Sequence, residues 1–239
     1  MNKQKTLKLV QLGILLALVI VLQSISSVGV VTLCLCLIPI TLGSMLLGWK
    51  YGAGLGAAFG VVAAFWGIIG KDFFTFLLFS VNPVMTILIC LVKGTVAGIV
   101  PGLIYKWLSE AFKFKAGGLV AGIIASISAP FANTGIFALG CFIIKKDIIN
   151  VAGQLNLDTS NFVTLIFGTL ISVNFFIELA INVAFSPALR KLTEMLGRRT
   201  GGYSDKKEKN NKVSKEVSEK STGNASLQDK NTTIRGTKE

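Results

Sequence analysis

From Leu7 to about Leu192 the chain is a succession of long apolar runs, none of which keeps a polar face. A surface helix of a soluble domain hides one stripe and shows water the opposite one. Runs that are apolar all round have to be buried, and several in a row are satisfied only by lipid. The composition hides how sharp this is. The chain is 52% hydrophobic and 15% charged, yet beyond Gly197 it changes to a dense scatter of Lys, Glu, Ser, Asn and Thr. The pattern predicts an all-α integral membrane protein, a bundle of six transmembrane helices over residues 1–199. A charged tail over residues 200–239 buries too little to offset the entropy of ordering and is expected to be disordered. The sequons at Asn224 and Asn231 fall in this tail and carry no meaning on the cytoplasmic side.

The expected spans run from about Leu7 to Gln23, Val30 to Leu47, a third beginning at Gly52 and ending near Ile69, Val84 to Leu108, Gly117 to Ile144, and Phe162 to Leu192. The basic leader Lys3, Lys5 and Lys8 followed by an apolar stretch also describes a signal peptide. The segment Gln23-Ser24-Ile25-Ser26-Ser27 is a poor cleavage site, however, so the first span is expected to stay. The loop from Gly70 to Pro83 carries Phe73, Phe74, Phe76 and Phe79 and should dip back onto the bundle. Lys145 to Asn161 is the longest polar connection.

Orientation follows from Lys and Arg near the span ends. Lys3, Lys5, Lys8, Lys50, Lys106, Lys113, Lys115, Arg190, Lys191, Arg198 and Arg199 gather on one side, against Lys71, Lys145 and Lys146 on the other. Both termini are therefore expected in the cytoplasm of a cell whose plasma membrane the chain crosses an even number of times. The net charge of +12 comes from these helix ends and from the mixed tail. No basic stripe with interleaved aromatics exists, so nucleic acid is not the expected partner; anionic lipid is.

Several chemistries are excluded by what the chain lacks. There is no His, the commonest general base and metal ligand at neutral pH. Cys34, Cys36, Cys90 and Cys141 lie inside apolar runs, where a thiol is a small apolar filler. Cys34 and Cys36 point to different helix faces with no other soft ligand near, so no metal and no cofactor are expected. Gly43 to Gly48 has the glycine spacing of a phosphate-binding loop, but Trp49 precedes Lys50 and no Ser or Thr follows. Intramembrane proteolysis lacks its His, its metal ligands or its paired Asp. No enzyme activity is expected.

Two constellations remain. The first is small residues at four-residue spacing, which lets helices approach closely: Gly13 and Ala17; Gly52, Gly56 and Gly60; Gly94 and Gly98; Gly118, Gly122, Ala125 and Ala129. Each ladder packs within the bundle or meets a partner protein, and Gly13/Ala17, on a peripheral terminal helix, is the one expected to meet a partner. The second is polar groups at membrane depth. Lys93 lies about ten residues, or 15 Å, inside its span. A cation there costs on the order of 3 kcal/mol, so it must face a cavity or a partner. Asn174, Glu178 and Asn182 recur every four residues and share one face. Pro130 and Asn133-Thr134 interrupt the fifth span, and Asn82-Pro83 opens the fourth. Asn82, Lys93, Asn133, Asn174 and Glu178 are the expected substrate-binding residues.

At these residues the chain resembles the S-components of energy-coupling factor (ECF) transporters. The resemblance runs through Ile38-Pro39-Ile40-Thr41-Leu42-Gly43, Leu47-Gly48-Trp49-Lys50-Tyr51-Gly52-Ala53-Gly54, Asn82-Pro83, and Lys93-Gly94-Thr95-Val96-Ala97-Gly98. It continues through Asn133-Thr134 and through Asn174 with Glu178-Leu179-Ala180-Ile181-Asn182. It covers about Leu7 to Lys191. Where the family commonly has Arg, this chain has Lys93, which keeps the charge and loses the bidentate fork. The resemblance implies a subunit that captures a small-molecule micronutrient, a vitamin with a lean to carboxylates such as pantothenate. It also implies a transmembrane coupling subunit and two cytosolic ATPases as partners, docked through Gly13 and Ala17. The alternative is a self-sufficient secondary transporter driven by protons or sodium through Glu178.

Overall fold

The computed structural model describes residues 3–25, 27–28, 31–32, 35–111, 117–154, 161–164 and 172–200. The expectation for the tail falls on residues outside this set, apart from Thr200. Within it the chain is helical apart from one two-residue antiparallel ladder. The helices are α1 (Lys3–Ile25), α2 (Leu37–Leu47), α3 (Trp49–Ile69), α4 (Phe73–Val81), α5 (Pro83–Ala111), α6 (Gly117–Ile143), α7 (Lys145–Gln154) and α8 (Ser172–Thr200). Strands β1 (Ser27–Val28) and β2 (Val31–Thr32) pair between α1 and α2.

Four helices, α1, α3, α5 and α6, are long and apolar enough to cross a membrane. At 1.5 Å per residue α3 reaches about 31 Å, the thickness of a hydrocarbon core. Leu9, Ile14, Val61, Phe65, Leu88, Phe131, Leu139 and Phe176 are among the large apolar side chains that point outward, as they should where the solvent is lipid.

The second span departs from expectation. It begins at Leu37, not Val30, and the residues before it form the ladder. Pro39 then sits in the first turn of α2, where its missing N–H leaves no bond unmade, and the helix is only 11 residues long. Gly48, at φ 107°, ends α2 and lets α3 start at once. The segment expected as a loop from Gly70 to Pro83 is largely α4. Gly70 closes α3 in the left-handed conformation at φ 83°. The Asp72 carboxylate then caps α4 by accepting from the Thr75 N–H and, at 2.6 Å, from its hydroxyl. The connection after α6 likewise opens with a helix, α7. Where a sixth span is expected, the described helix is α8, which begins at Ser172 and runs beyond Leu192 to Thr200; residues 165–171 lie outside the described set.

The tightest seam joins α3 to α5. Gly52, Gly56 and Gly60 lie against the backbone at Gly98, Gly94 and Cys90, so near that a methyl group at any of them would strike a main-chain carbonyl. Ser44 of α2 ties into this seam, donating to the Gly98 carbonyl at 2.6 Å. Those two ladders are internal packing. Pro187 lies inside α8, and the carbonyl of Val183 that it leaves without its helical donor accepts from the Ser186 hydroxyl at 2.8 Å.

Helices α1, α3 and α6 begin, and α2, α5 and α8 end, at one end of the bundle, called here the terminal end. Gly13 and Ala17 are exposed on the outward face of α1, and a side chain added at Gly13 would meet nothing within 4 Å.

Candidate substrate site

Lys93 projects from the buried stripe of α5 and is only 7% exposed. Its ammonium lies 4.9 Å from the centre of the Phe137 ring on α6 and 6.0 Å from that of Phe59 on α3. Phenyl faces carry negative electrostatic potential and favour a cation placed there. Cys90 and Cys141, both buried, fall within electrostatic reach of the same ammonium, and Cys90 within reach of Asp72 as well. The cation therefore stands where α3, α5 and α6 meet, beneath an apolar cap built from Leu78, Ile89, Ala138, Cys141, Ile144, Ile148 and Phe162.

The polar stripe of α8 lies further toward the terminal end. Glu178 and Asn182 are buried and Asn174 is half-buried. On α6, Ala121 and Ala125 are fully buried in a cluster with Met45 of α2 and Tyr105 and Leu108 of α5, and Ala129 and Asn133 are buried further along the helix. The register between α6 and α8, which run antiparallel, is set by two contacts. The rings of Phe131 and Phe175 meet edge-to-face at 5.0 Å, and Arg190 packs on Gly122. Averaging the two places Asn133 level with the turn between Asn174 and Glu178. With Lys93 opposite Phe137, Glu178 lies about 9 Å, and Asn182 about 15 Å, closer to the terminal end than Lys93.

Compared with family models, with curated proteins and with solved structures, the chain matches none.

Of the five expected binding residues, Lys93 is buried on α5, Asn133 on α6 and Glu178 on α8, and Asn174 is half-buried one turn before Glu178. Asn82 stands apart. It ends α4, and its side-chain oxygen caps α5 by accepting from the Met85 N–H at 3.2 Å. It lies eleven residues, about 16 Å, along α5 from Lys93.

Several side-chain oxygens mark where polar chemistry is still owed. Among the described residues, Gln11 Oε1, Thr41 Oγ1, Asn133 Oδ1 and Asn182 Oδ1 are buried with no hydrogen-bond partner. Buried polar atoms are almost always satisfied, so such exceptions ask for a reason. Asn182 is unambiguous in orientation: its amide nitrogen donates to the Glu178 carbonyl at 2.9 Å, which leaves the oxygen as the acceptor. Thr41 is unusual among the threonines. Thr86, Thr95 and Thr193 each donate to the carbonyl four residues before, the ordinary recourse of a helical hydroxyl in an apolar place. Thr41 does not, although it is fully buried. Because Ser44 bonds Gly98 and Lys93 faces Phe137, Thr41, one turn from Ser44, falls near the level of Asn133. Its helix, α2, packs on both α6 and α8.

Sequence reasoning missed Thr41 and Asp72 as buried polar groups, and the aromatic walls Phe59 and Phe137. Asp72-x-x-Thr75 before an apolar run was a legible helix-start signal. Nothing in the sequence singles out Thr41, whose distinction is a bond it does not make.

Proposed function

We propose that this protein is the substrate-capturing membrane subunit of an ECF-type importer, which binds a vitamin or related micronutrient and relies on partner subunits for energy. The observation that carries the reading is the set Lys93, Asn133, Glu178 and Asn182, buried in a bundle whose core clusters are apolar, with Asn174 half-buried on the same stripe of α8. Burying so many polar groups costs several kcal/mol, which a purely structural bundle of this size would avoid with Leu. A site of this kind, in a chain whose sequence carries no phosphate-binding loop, belongs to a protein that binds and leaves ATP hydrolysis to others. Six spans across a plasma membrane, with both termini in the cytoplasm, complete the reading. Lys5, Lys8, Lys50, Lys106, Arg190 and Lys191 at the terminal end, against Lys71, Lys145 and Lys146 at the other, support that orientation. Gly13 and Ala17, outward on α1, are the proposed docking stripe for the transmembrane coupling subunit.

One observation favours a second reading. Glu178 is a carboxylate buried at membrane depth, the kind of group that carries protons or sodium in self-sufficient transporters. Affinity purification of the tagged full-length chain from its own membranes separates the two. Two ATPases and a membrane partner in the eluate support the importer. Solute uptake by the chain alone in liposomes, driven by an ion gradient, overturns it.

A further inference from the structure

Between α5 and α6, on the side turned outward, lies an open groove of about 550 Å³. Val96 and Val100 of α5 line one side of it, and α6 lines the rest from Ile124 to Leu139. That stretch of α6 rises about 22 Å, which keeps the groove within a hydrocarbon core of about 30 Å. Both helices are long and apolar enough to cross a membrane, so the groove opens onto lipid. The one hydroxyl in its lining, on Ser128, donates into its own helix, to the Ala125 carbonyl at 2.7 Å. The groove therefore asks for hydrocarbon. Gly135 keeps it open. At Gly52, Gly56 and Gly60 an added methyl would strike backbone, whereas at Gly135 it would meet nothing within 4 Å.

A second transmembrane helix is a poor occupant. Gly135 is flanked one turn either way by Phe131 and Leu139, 55% and 61% exposed, and the Phe131 ring is held edge-to-face on Phe175. Small residues repeated every four let helices meet, as in the seam between α3 and α5. A small residue between two large ones makes a notch, which a flexible chain fills and a helix does not. The same stripe of α6 leads on through Phe142 to Lys146, which is exposed. Bonds from the Ile144 N–H to the Gly140 carbonyl and from the Ile148 N–H to the Ile144 carbonyl carry α6 into α7 and keep that register. From Gly135 to Lys146 is about 16 Å along the helix, close to the depth of one leaflet's hydrocarbon. We propose that the groove binds an anionic phospholipid of the leaflet at the α7 end. Its phosphate meets the Lys146 ammonium, and one acyl chain lies along Phe142 and Leu139 into the notch at Gly135. A phosphate oxygen is a strong acceptor for an ammonium, and Lys145 and Lys146 against Asp147 leave this end net positive. The lipid closes the contact between α5 and α6 from outside, whatever the interior holds.

The test titrates full-length protein in mild detergent with phosphatidylglycerol or phosphatidylcholine carrying the same palmitoyl and oleoyl chains. Binding is read by native mass spectrometry and by thermal shift. Phosphatidylglycerol should raise the melting temperature by roughly 5 °C or more near saturation, and phosphatidylcholine by less than half as much. Dioctanoyl phosphatidylglycerol, whose chains stop short of Gly135, should also give less than half the shift, a comparison that needs no variant. Gly135→Leu should fold like wild type, since the space beside it is open, and should lose most of the phosphatidylglycerol shift. Lys146→Gln should still bind but no longer distinguish the two headgroups. A full shift retained in Gly135→Leu, or equal shifts from long and short chains in wild type, overturns the groove as the site. Equal shifts from the two headgroups in wild type, or a preference undiminished in Lys146→Gln, overturns the placement of the phosphate.

Discussion

Lys93→Met is the substitution on which the site stands or falls. Methionine nearly matches the length and volume of lysine, so it fills the space between the Phe59 and Phe137 rings without a cavity and makes favourable sulfur–aromatic contacts there. It also removes a cation that is only 7% exposed. The match in shape should let the free protein keep its fold, read as a monodisperse peak in detergent, while binding falls. Removing one partner of a buried charged contact costs about 2–5 kcal/mol, which corresponds to roughly 30- to 5,000-fold in Kd. Glu178→Gln, at a level about 9 Å further along, should lose less. Native mass spectrometry of gently purified protein identifies the bound compound, and calorimetry with that compound measures each variant. A Lys93→Met protein that binds like wild type refutes the reasoning. So does one that loses binding only because it no longer folds.

Gly13→Val or Ala17→Leu, both on an outward face with room for the added atoms, should abolish uptake in cells while calorimetry shows binding intact; equal loss of binding would place this stripe in the bundle interior. Gly56→Leu should prevent folding, because the backbone at Gly94 leaves no space for a side chain; a variant that still elutes as a sharp monodisperse peak and binds would refute the packing. Truncation after Thr200 should leave melting temperature and affinity unchanged, and a fall of several degrees would show that the tail packs after all.

Much of the architecture was legible because it follows from period and length. The bounds of α3, α5 and α6 match the apolar runs closely, and the internal ladders at Gly52/Gly56/Gly60 and Gly94/Gly98 found each other, as four-residue spacing of small residues invites. What sequence missed was local punctuation. A proline in the first turn looks the same in sequence as a proline in mid-helix, so the start of α2 is not marked. The aromatic run after Gly70 hides a helix because its cap, Asp72, stands beside Gly70 and Lys71, which suit a loop equally well. The site was legible as a set of costly residues, since Lys93 and Glu178 stand out in any apolar run. Its shape was not, because depth and facing depend on inter-helix register, which only contacts such as Phe131 with Phe175 fix.

The seam between α3 and α5 has a bearing on how far the interior can accommodate different guests. Lys93 is the immediate neighbour of Gly94, whose backbone is pressed against Gly56, so the base of the lysine is held by main chain rather than by side chains that can repack. Helices α6 and α8 instead meet through phenylalanine edges and where Arg190 lies on Gly122, with a proline in each helix. One side of the interior is thus a fixed datum and the other an adjustable jaw. Changes in what is held, whether by motion within one molecule or by substitution across many, should fall on α6 and α8 and leave the glycine seam untouched.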